Sequence, residues 1–177
     1  IYDNINNHTE NSKNYGDTFL SKICIDWEAE AQKAHTKLII TRLSIVLDKN
    51  EGAFKKMILP FKYRIGMVFG KGNQYFSFIH IDDLVSAFLY FIDNPDCEGI
   101  YNLSTGENIK YSDFARICNR KYKNRILIHI PELFLKKILL EGHIILTQGQ
   151  SAIPERLKND NFKFKYLSIE EILDNLI

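Results

Sequence analysis

The chain has 177 residues, 45% hydrophobic and 25% charged, with a formal net charge of +1. This is the composition of a globular protein with room for a sizeable core. The balance gives no electrostatic case for nucleic acid or an anionic membrane as main partner, and no apolar run is long enough to span a bilayer.

Residues 1–16 are rich in Asn and Ser and read as loop, without a signal-peptide core. Asp17 is placed to cap a following helix, in which Leu20, Ile23, Cys24, Trp27 and Ala31 recur at helical spacing and define one buried face. "KLIITRLSIVL" (37–47) is β-branched and reads as a buried strand that leaves its sheet near Ser44. "NEGAFKKMILPFKY" reads as a loop and short helix. Gly66, Gly70 and Gly72 punctuate a turn before the strand "QYFSFIHI". Asp82 is expected as N-cap of the next helix and Asp83 in its first turn, where a carboxylate suits the helix dipole. That helix stops at Asn94–Pro95, since proline cannot continue it.

"EGIYNLS" then reads as a short strand and "TGEN" as a turn. A helix begins at Ser112 with Phe114, Ile117 and Cys118 inward; "RILIHIP" is a strand; Pro131 opens a helix that Gly142 ends. Ser168 and Glu171 form a capping box before "ILDNLI". Strands alternate with helices through the first hundred or so residues, the pattern of parallel βαβ units. The remainder is mostly helical.

Several chemistries are excluded by what is missing. Three separated cysteines with no C-x-x-C argue against a disulfide framework or zinc site and for reduced thiols in a cytoplasmic protein. No metal-ligand spacing links the histidines. There is no G-x-G-x-x-G. The run Gly66, Gly70, Lys71, Gly72 is one residue short of a P-loop and lacks its Ser or Thr. None of the nine tyrosines is followed four residues later by lysine, so the Tyr-x-x-x-Lys proton-transfer pair of short-chain dehydrogenases is absent. In "RICNRKYKNR" (116–125), Arg116, Arg120 and Lys123 share a helical face that reads as solvated surface.

"FLSKICIDWEAEA", "TRLSIVLDKNEGAFKKMILPFKYRIG" and "GKGNQYFSFIHIDDLVSAF", in that order, resemble an atypical extended short-chain dehydrogenase/reductase family, the NAD(P)-dependent epimerase/dehydratase type. The tail "LLEGHIILTQGQSAIPERLKNDNFKFKYLSIEEIL" resembles the small C-terminal domain of unknown function that closes such proteins. The resemblance implies an α/β fold: the C-terminal part of a Rossmann-type parallel sheet plus a small helix-rich α+β cap. It implies residues 1–103 as a partial Rossmann-like domain lacking the N-terminal glycine-rich unit, and 104–177 as the cap. In ordinary extended members the Tyr and Lys would fall at Leu20 and Cys24; this family generally lacks the pair, and no catalytic residue is assigned.

NADP or NAD is the implied cofactor, with the pyrophosphate site missing from these residues. Arg42 and Val46, in "RLSIVL", match the strand end expected to touch the nicotinamide half. Gln74 and His80 match substrate-side positions, and Phe78 replaces the usual Trp as an aromatic wall. Each has a second reading: Val46 as a buried strand residue, Gln74 as a plain turn residue, His80 as a hydrogen-bonded structural histidine. Trp27 and Glu28 read as packing plus a solvated or capping carboxylate, and Cys24 as a small core residue. The chain is thus expected to be the C-terminal portion of an epimerase or oxidoreductase acting on an unknown small molecule, such as a nucleotide sugar, and inactive alone. The alternative is a non-enzymatic truncated or split-gene module, with self-association or a complementary N-terminal chain as its partner.

Overall fold

The computed structural model describes residues 1–139 and 147–177; the expected helix stop at Gly142 lies outside them. In chain order the first elements are β1 (Asn7–His8), α1 (Phe19–Ala31), β2 (Ile39–Leu43), β3 (Ile45–Leu47), α2 (Gly52–Lys62), β4 (Ile65–Phe69), β5 (Tyr75–Phe76) and β6 (Phe78–His80). Then follow α3 (Ile81–Asp93), β7 (Gly99–Leu103), β8 (Ile109–Lys110), α4 (Tyr111–Lys121), β9 (Ile126–Ile130), α5 (Glu132–Leu139), β10 (Ser151–Ala152), α6 (Glu155–Asn159) and α7 (Ile169–Leu176). The fold is α/β. β2 pairs with β7, β3 with β6, β4 with β9 and β1 with β10, all parallel; β5 and β8 pair antiparallel.

The run 37–47 forms two strands, and the break at Ser44 has a mechanical reason. Ser44 N–H donates to Leu103 O at 3.1 Å, and the next donor, Ile45 N–H, reaches Ser77 O at 3.1 Å on the same side. Two successive backbone donors on one side make a bulge. The bulge widens the gap between β2–β3 and β7 so that β6 enters it, and on its far side Phe78 O accepts from Thr105 N–H at 2.9 Å. The phase of alternation therefore reverses at Ser44. In β2 the even-numbered backbone groups face β7, whereas in β3 Ile45 and Leu47 face β6 and Val46 faces away from it.

Two cores flank these strands. One joins Leu47 and Phe78 to Phe54, Ile58 and Phe61 of α2, Phe114 and Cys118 of α4, and Ile169, Ile172 and Leu173 of α7. The other joins Ile79, Tyr101 and Leu103 to Ala87 and Phe91 of α3 and Leu157 of α6. Burying each such large side chain contributes about 1.5–3 kcal/mol. The first core draws on both 1–103 and 104–177.

Local expectations are corrected at several points. Thr18, not Asp17, caps α1: its Oγ1 accepts from Ser21 N–H at 3.1 Å. The apolar spacing of α1 is present, but that face is not buried. Trp27 is 72% exposed, Phe19 71% and Leu20 51%, and Cys24 is only half-buried; Ser21 is the buried residue of the helix. Periodicity fixes where a helix is apolar, and burial needs something to pack there, which the described residues do not supply. Gly66 lies within β4, a strand the glycine spacing concealed. Gly72 does make the turn: its φ is +72°, and a Cβ there would stand 2.5 Å from Val68 Cγ1. α2 carries Pro60 in its last turn.

The N-cap of α3 is His80, whose Nδ1 accepts from Asp82 N–H at 3.0 Å, and both aspartates fall in the first turn. α4 starts at Tyr111, one residue early, with Asp113 accepting from Lys110 N–H. The Ser168–Glu171 capping box forms in both directions.

Candidate functional site

The carboxyl ends of β3 and β6 gather two of the four nominated residues. Register places Val46 opposite Ile79 and Leu47 opposite His80. Val46 is half-buried against the α3 core. Its N–H and C=O point away from β6, toward a side on which no described strand lies.

His80 is 2% exposed, and both ring nitrogens are engaged. Nδ1 accepts the α3 capping bond, so Nε2 carries the proton and donates to Asn175 Oδ1 at 3.1 Å. Its ring lies 4.1 Å from that of Tyr166. Asp83, buried at 1%, accepts from Lys165 N–H at 2.7 Å and Tyr166 N–H at 3.0 Å. Asp82, ion-paired with Lys165 at 2.9 Å, has its carboxyl held below the usual range by that contact, and Lys165 is pushed up to about 12 by the same pairing. The strand-to-helix junction is thus a clamp on the C-terminal segment. Glu107 adds to it by accepting from Ile169 N–H at 2.6 Å, and burial raises its carboxyl above the ordinary value.

Arg42 belongs to a separate polar cluster. Its Nε and Nη2 donate to the two oxygens of Glu28 at 2.7 and 2.6 Å, and Nη1 donates to Tyr2 Oη at 2.6 Å. Tyr2 Oη lies 2.8 Å from Asn102 Oδ1, and the ring stacks on His8 at 4.7 Å. Burial pulls the Arg42 pKa down, but its bonds to Glu28 and Tyr2 outweigh that and leave it raised. Burial raises the Tyr2 phenol despite the opposing Arg42. Asn102 N–H donates to Glu10 Oε1 at 3.0 Å, and Glu10 Oε2 is buried with no hydrogen-bond partner among the described residues. The Arg42 fork is therefore directed at protein groups, four residues before Val46.

Gln74 sits apart in the turn after β4, its side-chain amide donating to Phe69 O at 3.2 Å and its backbone carbonyl accepting from Tyr111 N–H at 2.9 Å. The structure thus brings Val46 and His80 to one ladder and places Arg42 and Gln74 in two other neighbourhoods. Sequence reasoning missed Tyr2, Glu28, Asn102 and Asp83 as organisers. Glu28 and Arg42 could be suspected only from a carboxylate and a cation facing each other across helix and strand, and nothing local marks that pairing.

A cleft of about 560 Å³, bordered by Glu10, Lys37, Leu38, Ile40, Glu98 and Arg156, lies at the amino ends of β2 and β7. Parallel α/β sheets bind ligands outside the carboxyl ends of their strands, so the β3–β6 end is the stronger candidate. The described residues contain no cluster of three or more His, Cys, Asp or Glu able to hold a metal, and no described helix is long and apolar enough to cross a membrane.

The model of the NAD dependent epimerase/dehydratase family matches residues 7–104, and that of a domain of unknown function, DUF1731, matches residues 130–176. The chain is 31% identical over 166 residues to the chloroplastic homologue of epimerase family protein SDR39U1 from Arabidopsis thaliana, covering 93% of this chain and 48% of that protein. It is 32% identical over 177 residues to an epimerase family protein of Staphylococcus aureus, covering 96% of this chain and 58% of that one. The chain thus spans about half the length of the curated relatives it matches. The crystal structure of human epimerase family protein SDR39U1 (isoform 2) with NADPH shares the fold at a TM-score of 0.89 and 24% identity, over 97% of this chain and 59% of that chain. The dTDP-glucose 4,6-dehydratase from Bacillus anthracis, in complex with NAD, shares it at a TM-score of 0.75 and 16% identity, over 97% of this chain and 54% of that chain. The fold is accordingly Rossmann-type.

Proposed function

The chain belongs to the NAD-dependent epimerase/dehydratase family, and we propose on that footing that it supplies the nicotinamide side and the substrate side of an epimerase or oxidoreductase site. In this reading residues 1–103 form the Rossmann-type part and residues 104–177 the cap. The substrate class is a nucleotide sugar, and the relative solved with NADPH favours NADP.

The observation that carries the reading is the reversed phase at Ser44. It turns the N–H and C=O of Val46 outward at the carboxyl end of a parallel strand. A carboxamide needs one acceptor and one donor close together, and one outward strand residue offers both. Val46 thus fits the nicotinamide amide. A bound nicotinamide supplies hydride transfer. The chain's own residues position: Arg42 ties α1 to the strand that carries Val46, and His80 holds the cap segment against the same ladder. Gln74 keeps its turn beside the substrate side. Among the described residues no glycine-rich strand-to-helix turn offers a cradle for the pyrophosphate, so in this reading that part of the cofactor is held by polypeptide outside these 177 residues.

NADPH titration tests both halves. Micromolar affinity of the 177-residue chain by itself overturns the placement of the pyrophosphate. In a protein completed with the portion of the Staphylococcus aureus relative that this chain does not match, Val46→Pro removes the outward N–H at a strand edge, where proline is tolerated. Affinity should fall about tenfold, the worth of one hydrogen bond. Unchanged affinity overturns the nicotinamide contact.

A further inference from the structure

Two oppositely charged side chains border the cleft at the amino ends of β2 and β7, each held in place and neither paired with the other. Glu10 is only 6% exposed. Its Oε1 accepts from Asn102 N–H at 3.0 Å, while Oε2 is buried without a hydrogen-bond partner among the described residues. A buried polar atom in that position calls for a donor. The Arg156 guanidinium lies over the Tyr101 ring at 4.2 Å from its centroid, with Nη1 donating to Ile100 O at 3.1 Å and Nη2 to Tyr101 Oη at 3.4 Å. These bonds fix the plane of the fork and use two of its five N–H groups; the other three have no partner among the described residues.

The backbone sets the two groups side by side. Gly99 N–H donates to Leu38 O at 2.7 Å and Ser44 N–H to Leu103 O at 3.1 Å, so the odd-numbered groups of β7 face β2 and the even-numbered ones face the opposite edge. Ile100 O and Asn102 N–H are successive groups on that edge, the first taken by Arg156 and the second by Glu10. Guanidinium and carboxylate thus stand within one two-residue repeat, ~7 Å, and no ion pair joins them among the described residues. Arg42 and Asn102 point to the α1 face of the sheet, toward Glu28 and Tyr2. Ile40 and Ile100, two residues earlier on each strand, share that face and floor the cleft, half-buried, with Leu38 beyond Ile40. The rim adds Lys37 and Glu98, so the cleft holds two charges of each sign.

We propose that this cleft binds a free α-amino acid with an aliphatic side chain, its ammonium on Glu10, its carboxylate on Arg156 and its side chain on Ile40 and Ile100. The ammonium brings the donor that Glu10 Oε2 lacks, and the carboxylate accepts from the uncommitted side of the fork in charge-assisted bonds. Both charges of an amino acid sit on one carbon, so with a hydrogen bond at each end they bridge receptor groups ~7 Å apart. Oε2 meets the ammonium by a turn of the carboxylate about Cγ–Cδ, a broad torsion. A simple anion would leave Glu10 unanswered and a simple cation would leave Arg156 so; the balanced charge selects a zwitterion. The volume of about 560 Å³ falls in the range of small-ligand clefts, about 300–1,000 Å³. Val46 lies toward the other end of the strands, so the site is separate from the nicotinamide contact and stands or falls apart from it.

The chain, with isotope-labelled Ile, Leu and Val methyl groups, is titrated with L-leucine and followed by NMR. The expected result is saturable shifts at the Ile40 and Ile100 methyls and none at Val46. Isocaproate, which is leucine without its ammonium, and isoamylamine, which is leucine without its carboxylate, should each bind at least about tenfold more weakly, the worth of one hydrogen bond. Glycine, without the apolar side chain, should be weaker by a similar factor, about tenfold or more. Glu10→Gln should weaken leucine at least about tenfold and leave isocaproate unchanged; Arg156→Lys should weaken leucine and leave isoamylamine unchanged. A merely structural role of either residue would weaken all the ligands alike and overturns its assigned contact. Should either variant fail to fold, the ligand series on the native chain still decides. No saturable shift up to about 20 mM leucine overturns the proposal, as do shifts centred away from Ile40 and Ile100. Isocaproate or glycine binding as tightly as leucine overturns it too, the first by leaving Glu10 without a role and the second by leaving the apolar floor without one.

Discussion

Arg42 grips Glu28 through two parallel hydrogen bonds of 2.7 and 2.6 Å, tying a strand to a helix that buries almost nothing else. The pair is mostly shielded, with side-chain exposures of 6% and 14%. Removing one partner from such a pair strands a charge, whereas removing both can be nearly neutral. Glu28→Gln is therefore expected to cost about 3 kcal/mol, and Arg42→Met with Glu28→Met together should cost less than Glu28→Gln alone. Urea unfolding midpoints check this. A double variant as damaging as the sum of the singles would show that the pair acts independently of its mutual bonding.

Asp83 is expected to be the strongest point of the C-terminal clamp. Its two oxygens satisfy two neighbouring amides, and both bonds are charge-assisted. Asp83→Asn keeps one acceptor and replaces the other with a donor facing a donor, at a cost of about 2–3 kcal/mol. Amide exchange should accelerate most in 163–177. Uniform acceleration across the whole chain would place Asp83 in the general core instead of at a local clamp.

What was legible in the sequence was whatever depends on local chemistry. The Pro95 stop, the Ser168–Glu171 box, and the strand "GIYNL" all form as read, because each is settled by neighbours within a few residues. The cap of α3 was misplaced by two residues because His80 offers a ring nitrogen where Asp82 seemed the better acceptor. β4 was hidden because Gly66 reads as a turn, yet its bare Cα lets Asn119 and Leu127 approach to within 2.5 and 2.7 Å of where a Cβ would stand. The Arg42–Glu28–Tyr2 cluster was out of reach because its members are 14 and 40 residues apart and meet only through the fold. The exposed face of α1 shows the converse: the pattern was read correctly, and what it packs against is not written in the pattern.

The thiols should separate by burial. Cys118 is fully enclosed in the first core, and burial pushes its pKa up to about 12, so little thiolate forms near neutral pH. Cys24 and Cys97 are half-buried. At pH 8, iodoacetamide followed by mass spectrometry should modify Cys24 and Cys97 in the native chain and reach Cys118 only in urea. Native labelling of Cys118 at a comparable rate would mean that the α2–α4–α7 core opens far more readily than its packing implies.

Glu107 gives the chain a pH dependence of definite sign. Burial raises its carboxyl above the ordinary 4.5, and the nearby Glu170 and Glu171 push the same way, against the stabilising Ile169 N–H. A carboxyl raised in the folded state binds more protons there than in the unfolded chain between the two values. Its contribution to stability is complete below pH 4.5 and is lost as pH rises through the folded value. Glu107→Gln keeps an acceptor for Ile169 and removes the charge, so it should stabilise the chain at pH 7. The gain should be under about 1 kcal/mol, since the group is only half-buried and solvent screens part of the effect, and should vanish toward pH 4. Thermal midpoints of the two proteins from pH 4 to 8 make the comparison. A variant less stable than the native chain at pH 7 would show that the charged bond to Ile169 outweighs the cost of burying the carboxylate.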